Sequence, residues 1–158
     1  MGSACGHHGE QTALAGAPLA EALSAAERHC AEAGERLTAP RRRVLERLLA
    51  SNEPLKAYDI MIGLGPDGAP AKPPTVYRAL EFLERQGFAH RIESLNAYMA
   101  CRRGADVHAA AFVICDCCGA ALEIEPPAVA DFDRLGAISG YEVRSVVMEA
   151  RGVCAACR

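Results

Sequence analysis

The chain has 158 residues, 51% of them apolar, no Trp, and a formal net charge of −3. That length buries a real core, as one domain or two small ones, and no apolar run reaches the ~20 residues a membrane helix needs. The N-terminus has no Lys or Arg before Arg28, and Glu10, Gln11, Pro18 and Glu21 interrupt its apolar stretch, which predicts no secretory leader and a cytoplasmic, reducing location. There, eight cysteines point to metal or core packing ahead of disulfides. The net charge hides a segregation: residues 36–103 carry twelve basic and seven acidic side chains, net +5, between flanks of −4 each. A basic middle suits a segment that meets phosphates, although a solvated basic face has the same signature.

Residues 1–17 are rich in Gly, Ala and polar groups without periodicity and read as a disordered tail. From there Leu19, Leu23, Ala26 and Cys30 recur at helical spacing, with Gly34 as the stop. Thr38 is placed to cap a second helix with Pro40 in its first turn, and Val44, Leu45, Leu48 and Leu49 form the face to be buried. A third helix is expected over 56–64 with Ile60, Met61 and Leu64 inward, then a Pro- and Gly-rich loop over 65–74. Pro74 or Thr75 opens a fourth helix that runs to about Gln86, with Val76, Leu80 and Leu83 on one face and Gly87 as its stop. Strands over 88–93 and 97–101, joined by a Ser94-Leu95-Asn96 turn, complete a helix-turn-helix with a two-stranded wing.

Past a boundary expected in the charged segment 102–107, the pattern changes. Strands over 111–115 and 120–125 flank a first Cys-x-x-Cys turn, a helix is expected over 127–137, and 141–149 alternates as a strand before a second such turn. The predicted class is α+β: a tail over 1–17, a winged-helix domain over 18–102, a hinge over 103–107 and a small α/β domain over 108–158.

The two turns, Cys115/Cys118 and Cys154/Cys157, are the most informative feature. Each presents two thiolates to one ion, and together they close a tetrahedral sulfur shell that suits zinc and leaves no position for water or substrate. The site is therefore expected to be structural. Redox dithiols or disulfides are the competing reading, and Gly119 and Gly152 beside the turns favour the ion. Four further ligands, His90, Cys101, His108 and Glu123, surround the expected junction; two nitrogens, a sulfur and an oxygen also make a zinc shell. No short motif joins these four, so spacing alone favours a wing histidine near phosphate and a cysteine used for packing. At the start of the fourth helix, after Lys72, Thr75 can donate its hydroxyl to a phosphate, while Tyr77 and Arg78 lie off the buried face. An Arg there can pair twice with guanine, worth ~1–3 kcal/mol of discrimination. A solvent-facing Arg beside a surface Tyr fits the pattern equally well.

Leu37-Thr38-Ala39-Pro40-Arg41, Pro74-Thr75-Val76-Tyr77-Arg78-Ala79-Leu80, Gln86-Gly87-Phe88 and Cys115-Asp116-Cys117-Cys118-Gly119 together resemble the ferric uptake regulator family. The resemblance spans residues 19–157. It implies an N-terminal winged helix, a C-terminal α/β dimerisation domain, and a metal-controlled homodimeric repressor that binds a double-stranded DNA operator. It makes Tyr77 and Arg78 DNA contacts. Within the zinc uptake regulator branch, Tyr58 in Lys56-Ala57-Tyr58-Asp59 is similar to a further DNA-facing position, and His90, Cys101, His108 and Glu123 match the sensing site. Two Zn2+ per chain are then implied, one structural and one regulatory. Iron-responsive members carry a histidine cluster where this chain has only His108, and the Cys101 thiolate prefers zinc to iron(II) or manganese(II). The expected function is a zinc-responsive transcriptional repressor that binds a pseudo-palindromic operator as a zinc-loaded dimer and controls zinc-uptake genes. No catalytic residue, membrane or small-molecule substrate is expected. The alternatives are an iron- or peroxide-responsive regulator of the same family or, from another class, a zinc hydrolase using the hinge ligands with Glu123 as base. Cys117 has no assigned role.

Overall fold

The computed structural model describes residues 13–104, 110–126, 139–142 and 146–158. Four helices come first: α1 (Gly16–Glu32), α2 (Ala39–Leu49), α3 (Ala57–Met61) and α4 (Pro73–Arg85). α1 buries Leu23, Ala26 and Cys30 along one stripe and ends before Gly34, whose φ of +71° is the left-handed stop that glycine adopts without strain. α2 starts after Thr38 as expected, but the Thr38 side chain makes no capping hydrogen bond. Pro40 in the first turn removes one of the two N–H groups it would serve.

α3 ends at Met61, short of the expected residue 64. Ile62 is extended and Gly63 turns the chain at φ +75°, while Leu64 still packs, partly buried, on the helical core. The 65–74 loop contains a 3-10 turn over Pro66–Gly68 and is tied back by the Ala71 N–H donating to Met61 O at 2.8 Å. α4 begins at Pro73, one residue early, because prolines at both opening positions need no hydrogen-bond acceptor there.

The wing is the antiparallel pair β1 (Ala89–Ile92) and β2 (Ala97–Ala100), with His90 opposite Met99 and Arg91 opposite Tyr98. A 3-10 turn over Glu93–Leu95 and a left-handed Asn96 join them. Next, β3 (Ala110–Cys115) lies at the centre of a three-stranded sheet, antiparallel to β4 (Ala121–Ile124) and parallel to β5 (Val147–Gly152). The strand expected over 141–149 begins instead at Val147 and runs on to Gly152, so that Gly152 pairs with Cys115 and the two cysteine turns lie side by side. The expected helix over 127–137, His108 and residues 1–12 of the tail lie outside the described residues, as does part of the 103–107 hinge. The rest of the expected tail is ordered: Leu14 packs on the helical core with its N–H donating to Leu49 O at 2.9 Å, and α1 begins at Gly16, inside the 1–17 span.

Two apolar clusters form. The first joins the four helices with Phe88, Ala89, Tyr98 and Ala100. The second packs Ile92 and Met99 against Ala110, Phe112, Ile114 and Ala121. The wing thus supplies side chains to both, and each fully buried large side chain contributes roughly 1.5–3 kcal/mol.

Candidate metal centres and nucleic-acid surface

The sulfurs of Cys115, Cys118, Cys154 and Cys157 all lie within 4.8 Å of one another. The register described above brings them there, helped by the Asp116 N–H donating to Gly152 O at 2.8 Å. Cys118 Sγ and Cys154 Sγ are 3.9 Å apart. Bonds of ~2.3 Å to one tetrahedral zinc separate sulfurs by about 3.8 Å, whereas a disulfide needs about 2.05 Å. The spacing fits the ion. Backbone N–H groups converge on the Cys115 sulfur, those of Cys118, Cys154 and Cys117, and lower its thiol to about 6. Arg151 on β5 crosses to the first turn and holds Asp116 through Nε at 2.7 Å and Nη2 at 2.6 Å. Cys117 is exposed and its sulfur is not part of the cluster.

The second cluster spans the junction. His90 on β1, Cys101 just past β2 and Glu123 on β4 bring three ligand atoms within 4.8 Å. His90 Nε2 is 3.3 Å from Glu123 Oε1, and Cys101 Sγ is 3.9 Å from the same oxygen. Nitrogen and oxygen bound at ~2.0–2.1 Å to a tetrahedral zinc sit about 3.3 Å apart, so this pair also fits. Glu123 is the one buried charged residue among the described residues, and its other oxygen accepts the Arg102 N–H at 3.3 Å. Glu123 thus sets a buried carboxylate against an imidazole, a thiol and a backbone N–H at once. Burial pushes the Cys101 thiol up to about 11, against the lowering effect of the Arg103 N–H, and the thiol donates to Gly104 O at 3.3 Å. His90 is held edge-on to the Phe112 ring, centroids 5.8 Å apart.

On α4 and the elements around it, the sequence-predicted contact residues are exposed: Tyr58 at 73%, Tyr77 at 47%, and Lys72, Thr75 and Arg78 likewise. With prolines at the first two positions of α4 and the Thr75 N–H donating to Lys72 O at 3.0 Å, this helix end offers its dipole and side chains and few free backbone donors. Lys72 and Thr75 line one groove with Arg43, which the sequence reading missed. Arg43 belongs to a run of three arginines on α2, and only the packing of α2 on α4 selects it. Also missed were Arg102 and Glu149, whose side chains bond partners 51 or more residues away. No local pattern signals such pairs.

Fold and site together define a winged-helix protein with two candidate metal centres. The chain belongs to the ferric uptake regulator family, whose model matches residues 32–151. It is 43% identical over 139 residues to the zinc uptake regulation protein of Escherichia coli (strain K12), covering 87% of this chain and 81% of that protein. It is also similar to a solved zinc uptake regulator complexed with zinc and DNA, with TM-score 0.80, 42% identity, and coverage of 90% of this chain and 96% of the other. A second solved relative, holo XcZur, matches with TM-score 0.74 and 38% identity over 87% of this chain and 96% of its own.

Proposed function

We propose that this chain is a zinc-responsive, DNA-binding transcriptional repressor of zinc-uptake genes, which acts as a homodimer in the cytoplasm. One observation carries the reading: His90 and Cys101 on the wing converge with Glu123 on the sheet within 4.8 Å. His108, which follows the hinge in sequence, is the fourth ligand we assign. The four cysteines of the two turns would hold a second, structural zinc, giving two ions per chain. Bound zinc supplies a closed, four-bonded joint at each cluster. The chain's own residues do the rest. Phe112 and Arg102 orient His90 and Glu123, so wing and sheet take one relative pose when the three groups converge.

In a two-fold dimer that pose sets the distance between two copies of α4, matching a pseudo-palindrome with half-sites about one helical turn apart or a multiple of it. Arg78 is the base reader, Tyr58 and Tyr77 flank it, and Lys72 and Thr75 hold phosphate. Exposed Val113, Leu122 and Val147 on the sheet favour burial against a second copy. The similarity to the Escherichia coli protein and to the zinc- and DNA-bound regulator supports zinc over iron, as does the sulfur of Cys101.

The test is DNA affinity, by fluorescence anisotropy, across chelator-buffered free zinc. The probe is the duplex that the zinc-loaded chain selects from a random pool. Affinity should rise about 5–150-fold as the second ion loads, and by linkage the duplex should raise zinc affinity by the same factor. Full affinity with only one zinc per chain would defeat the reading.

A further inference from the structure

We propose that Arg102 is a positioning residue that transmits the state of the hinge cluster to helix α2, and through α2 to α4. The proposal rests on the repressor reading for its purpose and on the contacts of Arg102 for its substance. Its main-chain N–H donates to Glu123 Oε2 at 3.3 Å, while the other oxygen of that carboxylate faces His90 and Cys101. Its side chain runs the opposite way: Nη2 donates to Leu49 O and to Ser51 O, each at 3.2 Å. Leu49 closes α2 and Ser51 lies two residues past it, at the end where the helix carries the negative pole of its dipole; Leu49 O also accepts the Leu14 N–H at 2.9 Å. A part-buried guanidinium suits that end, and its planar fork reaches two carbonyls at once.

From α2 the path to α4 is a packed one. Val44, Leu45 and Leu48 share the buried core with Val76, Leu80 and Leu83, and the Arg41 guanidinium lies 3.5 Å from the Phe82 ring centroid. Arg102 thus bonds the buried ligand Glu123 with its backbone and the helix-turn-helix with its side chain. Its neighbour Arg103 does not: that side chain bonds Ile124 O at 3.3 Å and pairs with Glu125 at 3.4 Å, both on the sheet side. When the hinge ligands converge, the main chain at residues 101–102 is fixed, and the fork fixes the end of α2 with it.

The test uses the full chain with zinc alone as the probe, read by amide hydrogen exchange. In the wild type, filling the hinge cluster should slow exchange at the Ala50 and Ser51 amides, which bond Glu46 O and Leu48 O, by about tenfold. In Arg102→Ala, zinc stoichiometry and the slowing at β1 and β4 should persist, while the α2 amides stop responding. Arg102→Lys should respond in part, and it carries the test if the alanine variant fails to fold. Equal slowing at α2 in Arg102→Ala would overturn the proposal, as would the same loss in Arg103→Ala. If the exchange pattern holds but DNA affinity in the wild type ignores zinc, the repressor reading fails and the role of Arg102 stands.

Discussion

Glu149 on β5 accepts a hydrogen bond from the Glu93 N–H at 2.7 Å, tying the three-stranded sheet to the turn at the tip of the wing. The Ser94 N–H shares the same carboxylate, at 3.2 Å to Oε2. This brace works without metal and lies at the other end of the wing from Cys101. Glu149→Ala should destabilise the chain by about 1.5 kcal/mol, the usual scale for hydrogen bonds to a charged acceptor. Denaturant unfolding measures it, and hydrogen exchange should speed up at Glu93 and Ser94 alone. Unchanged stability and exchange would show that solvent replaces the brace at no cost.

The two clusters should fail differently. Cys154→Ser should lose one zinc per chain and several kcal/mol of stability, a fraction of the ~10–16 kcal/mol that structural zinc supplies in small domains. β5 should be released from the β3 edge, since Cys115 and Gly152 pair directly beside the cluster. Cys101→Ser should lose the other zinc and leave the helical core folded. Native mass spectrometry for metal count and circular dichroism for unfolding separate the two cases. A Cys154→Ser chain that keeps both ions would refute the assignment.

Zinc binding at the hinge should depend on pH with a definite sign. The Cys101 thiol, pushed up to about 11 by burial, is protonated and neutral across the physiological range, and metal binds the thiolate. Each ion must displace that proton, so apparent affinity should rise about tenfold per pH unit and weaken as pH falls. The cysteine turns should respond more steeply still, because four thiolates bind the ion and Cys115, lowered to about 6, accounts for only one of the four protons. Chelator competition between pH 6.5 and 8.5 (roughly the stable range of most domains) measures the slope. A flat profile at the hinge site would exclude Cys101 as a ligand.

Arg78→Ala and Arg43→Ala should have distinct signatures. Arg78, exposed on α4, is expected to lose ~1–3 kcal/mol of discrimination at one base pair with zinc stoichiometry intact. Arg43, in the groove with Lys72 and Thr75, should weaken binding to all duplexes alike and flatten the log affinity against log salt plot by about 0.9. If Arg43→Ala changes base preference instead, the groove faces the bases and not the backbone.

Much of this was legible in the sequence because it is local. Helical stripes such as Leu23/Ala26/Cys30, the Gly34 and Gly87 stops and the paired cysteine turns each repeat within a few residues. What was not legible depends on register or on distant packing. Alternation over 141–149 suggested a strand, but only the pairing of Gly152 with Cys115 decides that β5 runs to residue 152. The convergence of His90, Cys101 and Glu123 needed the family resemblance, since it requires β4 to lie against the wing. Arg43, Arg102, Arg151 and Glu149 are ordinary charges in sequence and acquire partners only through tertiary contact.

Ile92 and Met99 sit under the wing in a cluster with Phe112 and Ile114, while Ala89 and Ala100 of the same ribbon are buried with the helices. Prising the wing from the sheet would wet that apolar seam, at about 25 cal/mol for each Å² exposed. Such a joint resists gradual bending and yields in one event, behaving more like a snap fastener than a spring. A protein built this way moves between two poses of wing and sheet and does not drift through those between.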